Sequence, residues 1–224
     1  MPARTALVTG GAGGLGRSVV DALLADDWRV VVPVEAGPDL AERDGLSTVV
    51  ADLTDPDDVA RAIRAAVADD GAPLKALVNL VGGFAGDQPV ADTPLADFER
   101  LFALNVRPTY LMTQAALPRL TANGGGAIVC VGSSAALNPF AGGAGYAASK
   151  AAVIALARAV AKEGGPDGVR SNVIVPTQID TPANRAAMPP SEHHKLVPPE
   201  RIASVVVFLC GDASAALNGA VLPV

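Results

Sequence analysis

The stretch Thr9-Gly10-Gly11-Ala12-Gly13-Gly14-Leu15-Gly16-Arg17 decides the fold class of this chain. It directly follows the apolar run Arg4–Val8 and opens an amphipathic stretch over Gly14–Ala25. Glycines at this spacing let the backbone turn tightly, approach a pyrophosphate closely and pack the helix near the strand. The unpaired N–H groups at the helix start would then face the phosphates. The sequence therefore predicts a dinucleotide-binding strand–loop–helix unit, and because no Gly-Lys-Ser/Thr follows, it does not predict a Walker A loop.

The rest of the chain repeats this alternation of short apolar runs and longer amphipathic stretches. Further strands are predicted at Arg29–Val34, Ser47–Ala51, Lys75–Leu80, Ala127–Val131, Val169–Val175 and Ala220–Val224. Further helices are predicted at Pro56–Ala68, Ala96–Leu120, Gly145–Lys162 and Pro199–Cys210, and Pro108 should kink or divide the second of these. Near-continuous apolar runs are typical of parallel strands buried on both faces. We therefore expect an α/β fold, a doubly wound parallel seven-stranded sheet (Rossmann fold), as a single domain over residues 1–224.

Composition excludes several classes of function. The chain has 224 residues, of which 50% are hydrophobic and 18% charged, so intrinsic disorder is excluded. A net charge of −6 without any basic run argues against nucleic acid and anionic membranes as partners. No apolar stretch approaches the roughly 18–20 residues that span a bilayer, and the N-terminus lacks signal-peptide features. With Cys130 and Cys210 inside apolar runs and expected to be reduced, a cytoplasmic protein is predicted.

The one long irregular stretch is Pro176–Pro198, which is rich in proline. Such a loop in a compact domain is usually a lid or a binding loop, so residues 176–198 are predicted to contact substrate or cofactor. His193 and His194 lie in this loop without a second cluster of metal ligands, and a solvated pair is expected. No metal site is predicted.

Chemistry-bearing residues stand at the ends of predicted strands and on two predicted helices. They are Asp52-Leu53, Asn79 in Asn79-Leu80-Val81-Gly82-Gly83, Asn105, Ser133, and Tyr146-x-x-x-Lys150. Together with the spacing Thr9-Gly10-x-x-x-Gly14-x-Gly16, this pattern resembles the short-chain dehydrogenase/reductase family over essentially the whole chain. The resemblance implies an NAD(P)-dependent oxidoreductase that transfers a hydride between a nicotinamide cofactor and a small carbonyl/alcohol substrate.

The resemblance also implies site residues. The catalytic residues would be Ser133, Tyr146, Lys150 and Asn105, the last holding a water that connects Lys150 to solvent. The cofactor would contact Gly10, Gly14, Leu15, Gly16, Glu35, Asp52, Leu53, Asn79, Gly82, Tyr146, Lys150, Pro176, Ile179 and Thr181.

The chemistry suits these residue types. Tyr146 and Lys150 stand four apart on a predicted helix, so their side chains share one face. A neighbouring ammonium should lower the phenol pKa from about 10, and the phenol could then exchange a proton with a carbonyl or alcohol oxygen. Ser133 would hydrogen-bond the same oxygen. Ser134 is the alternative serine, since adjacent side chains on a strand point to opposite sides. Tyr110 is expected to be a packing residue.

Two departures from the family pattern concern the cofactor and the loop. The position that commonly holds an aspartate for the NAD ribose is Val34, followed by Glu35, and no Arg or Lys immediately precedes Gly14 or follows Glu35. A 2′-phosphate would meet carboxylate repulsion, which favours NAD(H) over NADP(H), although Arg17 or Arg43 could reach a phosphate.

The loop after the sixth predicted strand begins Pro176-Thr177 where the family usually has Pro-Gly. This loop and Gly82-Gly83-Phe84-Ala85-Gly86 resemble dihydropteridine reductases, a subgroup that usually lacks the serine. Dihydropteridine-reductase-like activity and a catalytically silent dinucleotide-binding sensor are therefore the alternative functions.

The helix over Ala147–Ala161 is apolar nearly all the way round, which predicts a second cover beyond the sheet. We expect a homodimer or homotetramer with the Gly145–Lys162 helix at a two-fold interface, and Ala157 is the residue to test if it lies on the outer face.

Overall fold

The computed structural model describes residues 4–35, 40–41, 43–86 and 88–224. Among these residues seven parallel strands form one sheet in the order β3-β2-β1-β4-β5-β6-β7. The strands are β1 (Thr5–Thr9), β2 (Arg29–Val34), β3 (Leu46–Val50), β4 (Leu74–Asn79), β5 (Gly126–Val131), β6 (Val169–Val175) and β7 (Val221–Pro223). The predicted doubly wound α/β fold is confirmed, and the strand bounds differ from the predicted ones by one residue at several ends.

Helices cover both faces of the sheet. They are α1 (Gly14–Ala25), α2 (Pro56–Ala66), α3 (Leu95–Asn105), α4 (Arg107–Ala122), α5 (Ser134–Leu137), α6 (Ala144–Gly164), α7 (Pro182–Ala187) and α8 (Pro199–Cys210). α1 and α8 pack on one face, and α2, α4 and α6 pack on the other. Strand alternation separates the two cores, since Leu7 faces the second group of helices whereas Ala6 and Val8 face α1 and α8.

Two prolines lie in the long helical pattern over 96–120, and one of them marks the point where the helix divides. The pattern divides at Val106 into α3 and α4, as Pro108 predicted. Pro108 lies in the first turn of α4, where a missing N–H costs nothing because no intrahelical acceptor exists there. Pro118 lies inside α4, where it does not end the helix.

The predicted irregular loop over 176–198 contains two short helical segments. α7 begins at Pro182 with Thr181 as its N-cap, and a 3₁₀ turn spans Pro190–Lys195. In both, a proline that was expected to break structure occupies the first helical position.

α6 differs from one expectation. By length and composition it is able to cross a membrane, contrary to the sequence-based expectation, but its inner side packs on β5 and β6. Ala157 lies on that inner side and is 1% exposed, so it is not a residue with which to test an interface on the outer face. The outer face carries Ala151, Ala155 and Ala159 instead.

Candidate active site

The glycine-rich loop places the N-terminus of α1 directly against the end of β1. A Cβ atom on Gly16 would lie 2.0 Å from the carbonyl oxygen of Gly10 and 2.7 Å from the Cα of Gly11, so only glycine fits. Gly10 has φ +68°, in the left-handed region. α1 has no side-chain N-cap and no acidic residue in its first turn, in contrast to α2, which Asp55 caps. The helix start therefore offers backbone N–H groups to an anion such as a pyrophosphate.

A cavity of about 270 Å³ begins at this loop and runs along the carboxyl ends of neighbouring strands. It is lined by Gly10, Ala12, Pro33, Val34, Glu35, Ala51, Asp52, Leu53, Thr54, Val81, Leu104 and Pro108. The Asp52 carboxylate accepts hydrogen bonds from the Thr54 backbone N–H (2.8 Å) and hydroxyl (2.7 Å). These bonds lower the pKa of Asp52, so a fixed negative charge stands at the cavity rim. The structure thus brings together Gly10, Glu35, Asp52 and Leu53, which the sequence predicted for the adenosine half of a dinucleotide.

The predicted catalytic residues meet at the next strand along the sheet. Ser133 follows β5 and caps α5, where its hydroxyl accepts from the Ala135 N–H (3.2 Å). The Ser133 side chain also lies close enough to the phenol of Tyr146, near the start of α6, to lower its pKa. Ser134 is the first residue of α5, and its N–H donates to the Pro176 carbonyl (3.0 Å). The backbone therefore brings Ser133 to the phenol of Tyr146.

Lys150 is buried one turn further along α6. Its Nζ donates to the Val131 carbonyl (3.1 Å), and a Cβ atom on Gly82 would lie 3.0 Å from that Nζ and 2.5 Å from the Asn105 Oδ1. Lys150 and Asn105 therefore both lie against the turn after β4. Any side chain at position 82 would collide with them.

Burial controls the protonation of both groups in this structure. It lowers the pKa of Lys150 to about 8, and it raises the pKa of Tyr146, an effect that the neighbouring Ser133 hydroxyl partly offsets. The expected lowering of the phenol pKa by Lys150 is therefore not what the structure shows. The lysine bonds the Val131 carbonyl, and desolvation of the phenolate is the largest influence on the phenol.

Asn105 holds the turn after β4 onto α6. Its Oδ1 accepts from the Gly83 N–H (2.9 Å), and its Nδ2 donates to the Gly83 carbonyl (3.1 Å) and to the Ser149 hydroxyl (3.0 Å). The side chain is fully buried, so it positions this turn beside Lys150.

The side chain of Asn79 does not share the cavity with the other predicted cofactor residues. Its Nδ2 donates to the Thr113 hydroxyl (3.2 Å) and contacts the Cys130 sulfur (3.6 Å), in the interior between β4, β5 and α4. The physical reason is strand alternation, which directs this position towards the α4 face of the sheet. Only the backbone of Asn79 is left to face a cofactor.

The loop over 176–198 lies against the glycine-rich loop. A Cβ atom on Gly14 would lie 2.6 Å from the Thr181 methyl group, and Ile179 pairs with Val197 in a short parallel bridge. Asp180 and Arg185 form an ion pair within the loop. The residues predicted for the nicotinamide, Ile179 and Thr181, are thus next to the start of α1.

Three side chains differ from or extend the sequence expectations. Tyr110 is half exposed and bonds Gln114, so it is not a core packing residue. His193 is half buried and lies 3.1 Å from the Arg185 carbonyl and 3.2 Å from the Met188 carbonyl, so it is part of the loop's own structure. Phe84, which sequence reasoning did not assign to the site, packs edge-on against Tyr146 with ring centroids 5.0 Å apart. Its position in the sequence directly after Gly82-Gly83, a turn already predicted to lie near the site, could have indicated this contact.

Known proteins share this arrangement. The family model for short chain dehydrogenases matches residues 4–191. The chain belongs to the short-chain dehydrogenase/reductase family. It is 31% identical over 240 residues to the 2-(R)-hydroxypropyl-CoM dehydrogenase of Xanthobacter autotrophicus, covering 98% of this chain and 96% of the relative.

Solved structures agree with the family assignment. A short-chain type dehydrogenase/reductase from Mycobacterium ulcerans superposes with a TM-score of 0.92 at 28% identity, covering 99% of this chain and 88% of that one. The 3-ketoacyl-(acyl-carrier-protein) reductase from Brucella melitensis, solved with NADH, gives 0.88 at 27% identity, covering 99% and 96%. The chain is an NAD(P)-dependent oxidoreductase of this family, and its glycine-rich loop, uncapped α1 and strand-end cavity fit a nicotinamide dinucleotide.

Gly16→Ala should weaken NADH binding by about tenfold or more, because the new methyl group would push the Gly10 carbonyl and the start of α1 apart. Calorimetric titration with NADH measures this. Gly211→Ala is the matched control, since a Cβ atom there would lie 3.6 Å from the Val207 oxygen in ordinary contact. Equal NADH affinity in both variants would contradict the proposed packing requirement.

Proposed function

We propose that this oxidoreductase interconverts a carbonyl and an alcohol with Tyr146 as the proton-transferring residue. The observation that carries the proposal is that Ser133 and Tyr146 lie close together, with buried Lys150 one helical turn away on α6. The substrate oxygen would take its place between the serine hydroxyl and the phenol. A module that only senses a dinucleotide has no need for a buried lysine in this position, because burying a cation costs free energy.

In the reduction direction the proton and the hydride reach different atoms. The nicotinamide, when bound, supplies the hydride to the carbonyl carbon. The Tyr146 phenol, kept protonated by burial, donates its proton to the carbonyl oxygen, and Ser133 donates a hydrogen bond that polarises the same oxygen. Lys150 then replaces the proton on Tyr146 and is itself reprotonated from solvent. Asn105 acts by holding the turn beside Lys150 in place.

Tyr146→Phe should lower turnover by about 10²–10⁴-fold, since it removes the proton donor and keeps the ring. NADH affinity should stay within about twofold of the unmodified protein, because in the proposed reaction the phenol bonds the substrate oxygen. Oxidation of NADH and NADPH is measured against ketones, 3-oxoacyl thioesters, quinones and quinonoid dihydropterin.

Tyr110→Phe is the matched control, as Tyr110 lies on α4 and bonds Gln114. Unchanged turnover in the Tyr146 variant would exclude the mechanism. Selective turnover of the dihydropterin would favour the dihydropteridine-reductase-like alternative.

We further propose that NADH is preferred over NADPH. Glu35 lies on the cavity rim at the end of β2, where its carboxylate would repel a 2′-phosphate. Arg43 forms an ion pair with Asp21, which satisfies its charge away from this rim. The sequence has no Arg or Lys immediately after Glu35. That part of the prediction falls on residues 36–39, which lie outside the described residues.

Val34→Arg combined with Glu35→Ser should shift the ratio of kcat/KM for NADPH over NADH upward by about tenfold or more, because the change removes repulsion and adds a guanidinium. Glu163→Ser removes a carboxylate from the end of α6 and should leave the ratio unchanged. A clear NADPH preference in the unmodified protein would show that Glu35 does not select the cofactor.

We propose a cytoplasmic homodimer or homotetramer in which α6 lies at a two-fold interface. The outer face of α6 presents Ala151, Ala155 and Ala159 to solvent in the single chain, one turn apart from each other. Small side chains at this spacing allow close approach of a second helix, and α4 adds the half-exposed Tyr110 beside them.

Ala155→Glu should convert the assembly to monomers or weaken it at least tenfold, because a carboxylate would be buried between the helices. Light scattering over a protein dilution series measures this. Ala25→Glu, at the exposed end of α1, is the control and should leave the assembly unchanged. A monomeric unmodified protein at micromolar concentration would exclude the interface.

A further inference from the structure

Two large aromatic side chains stand in solvent beside the candidate proton donor. Phe84 is 61% exposed and Phe140 is 48% exposed, although each is large enough to be a core residue. The ring of Phe84 packs edge-on against Tyr146, and the rings of Phe84 and Phe140 lie 6.2 Å apart at an angle of 38°. Exposed rings contribute little to folding by burial, so their place next to Tyr146 needs another explanation.

Glycines bring together the two loops that carry these rings, and the ring of Phe140 lies on one of these glycines. Gly86 has φ +151°, and a Cβ atom there would lie 2.7 Å from the Gly142 carbonyl, so the backbones of the two loops meet. Phe84 and Phe140 each stand two residues before this meeting point. The ring of Phe140 lies on Gly143, where a Cβ atom would approach its ring carbons to 2.6 Å. The two rings therefore form a preorganised aromatic surface, not a pair of freely moving side chains.

The segments that carry this surface contain no charge that could bind an anionic or cationic substrate. No Asp, Glu, Lys, Arg or His occurs over Ala76–Gly86 or over Gly126–Ser149. In the loop over 176–198, Arg185 is paired with Asp180 and Lys195 with Glu192. A charged substrate group placed against the two rings would lose hydration without gaining a charged partner from the segments that carry them.

From these observations we propose that the substrate is a neutral aryl ketone, whose ring packs on Phe84 and Phe140 while its carbonyl reaches Tyr146 and Ser133. Phe84 is then a specificity-determining residue, since its ring touches both the tyrosine and the space that the substrate ring would fill. Edge-to-face and offset-stacked aromatic pairs favour such a ligand over an open aliphatic chain of equal size. This inference rests on the proposed carbonyl/alcohol function and narrows its substrate class.

The test compares acetophenone with 2-octanone, two neutral methyl ketones with the same number of carbon atoms, and with an acetoacetyl thioester. In the unmodified protein, kcat/KM should be higher for acetophenone. Phe84→Leu should lower kcat/KM for acetophenone by about three- to tenfold, mainly through KM, and leave 2-octanone within about twofold. Phe208→Leu, an exposed phenylalanine on α8, is the matched control and should change neither value.

Binding gives a second measurement that needs no turnover. In the Tyr146→Phe variant loaded with NADH, calorimetry should show acetophenone binding that weakens about three- to tenfold when Phe84→Leu is added. An equal effect of Phe84→Leu on both ketones, or preference for the thioester or 2-octanone, would overturn the inference while leaving the oxidoreductase proposal intact. NADH binding without reduction of any carbonyl in the panel would instead overturn the proposed function, and the inference with it.

Discussion

The hydroxyl of Thr9 ties together the two turns on which the site depends. It accepts hydrogen bonds from the backbone N–H groups of Leu80 (3.1 Å) and Val81 (3.4 Å), across the boundary between β1 and β4. The strand order reverses at β1, so the chain leaving β1 and the chain leaving β4 run towards opposite faces and open a crevice between them. Gly10 must be glycine here, because a Cβ atom would lie 3.0 Å from the Val81 nitrogen. The dinucleotide cavity and the turn that carries Phe84 both start from this junction.

Burial decides which way the proposed proton transfer runs. In this structure Tyr146 and Lys150 are both shifted towards their neutral forms, since neither charge is well solvated. A neutral phenol is a proton donor and suits carbonyl reduction. Alcohol oxidation needs the phenolate, which requires positive charge to be brought near the ring. An oxidised nicotinamide is cationic, and a reduced one is neutral. The oxidised cofactor therefore favours the phenolate that alcohol oxidation needs, and the reduced cofactor leaves the neutral phenol that carbonyl reduction needs.

The sequence was sufficient for the sheet, the glycine loop and the Tyr146–Lys150 pair, because these depend on local period and spacing. It was not sufficient where backbone direction matters. Ser133 was distinguished from Ser134 by the extended backbone that makes it the α5 N-cap, at φ −163° and ψ 149°. The side of α6 on which Ala157 lies could not be predicted, since a helix rich in alanine shows no clear apolar face. The phenol pKa was expected to fall because spacing reports proximity but not desolvation.

The loop over 176–198 is irregular in sequence, and its contacts explain how it is ordered. It rests on the glycine loop through the Thr181 methyl group at Gly14. Its internal order comes from the Asp180–Arg185 ion pair, and from Asn184, whose Nδ2 donates to the Ile179 carbonyl (2.7 Å). A short bridge between Ile179 and Val197 closes the segment on itself, and the Pro176 carbonyl accepts a hydrogen bond from the Ser134 N–H outside it. Ile179 and Val197 also pack against the core on the α1 and α8 face of the sheet, so the segment is anchored to the fold at these residues. This anchoring explains why a segment so far along the chain lies beside the glycine-rich loop, with the Thr181 methyl group at Gly14.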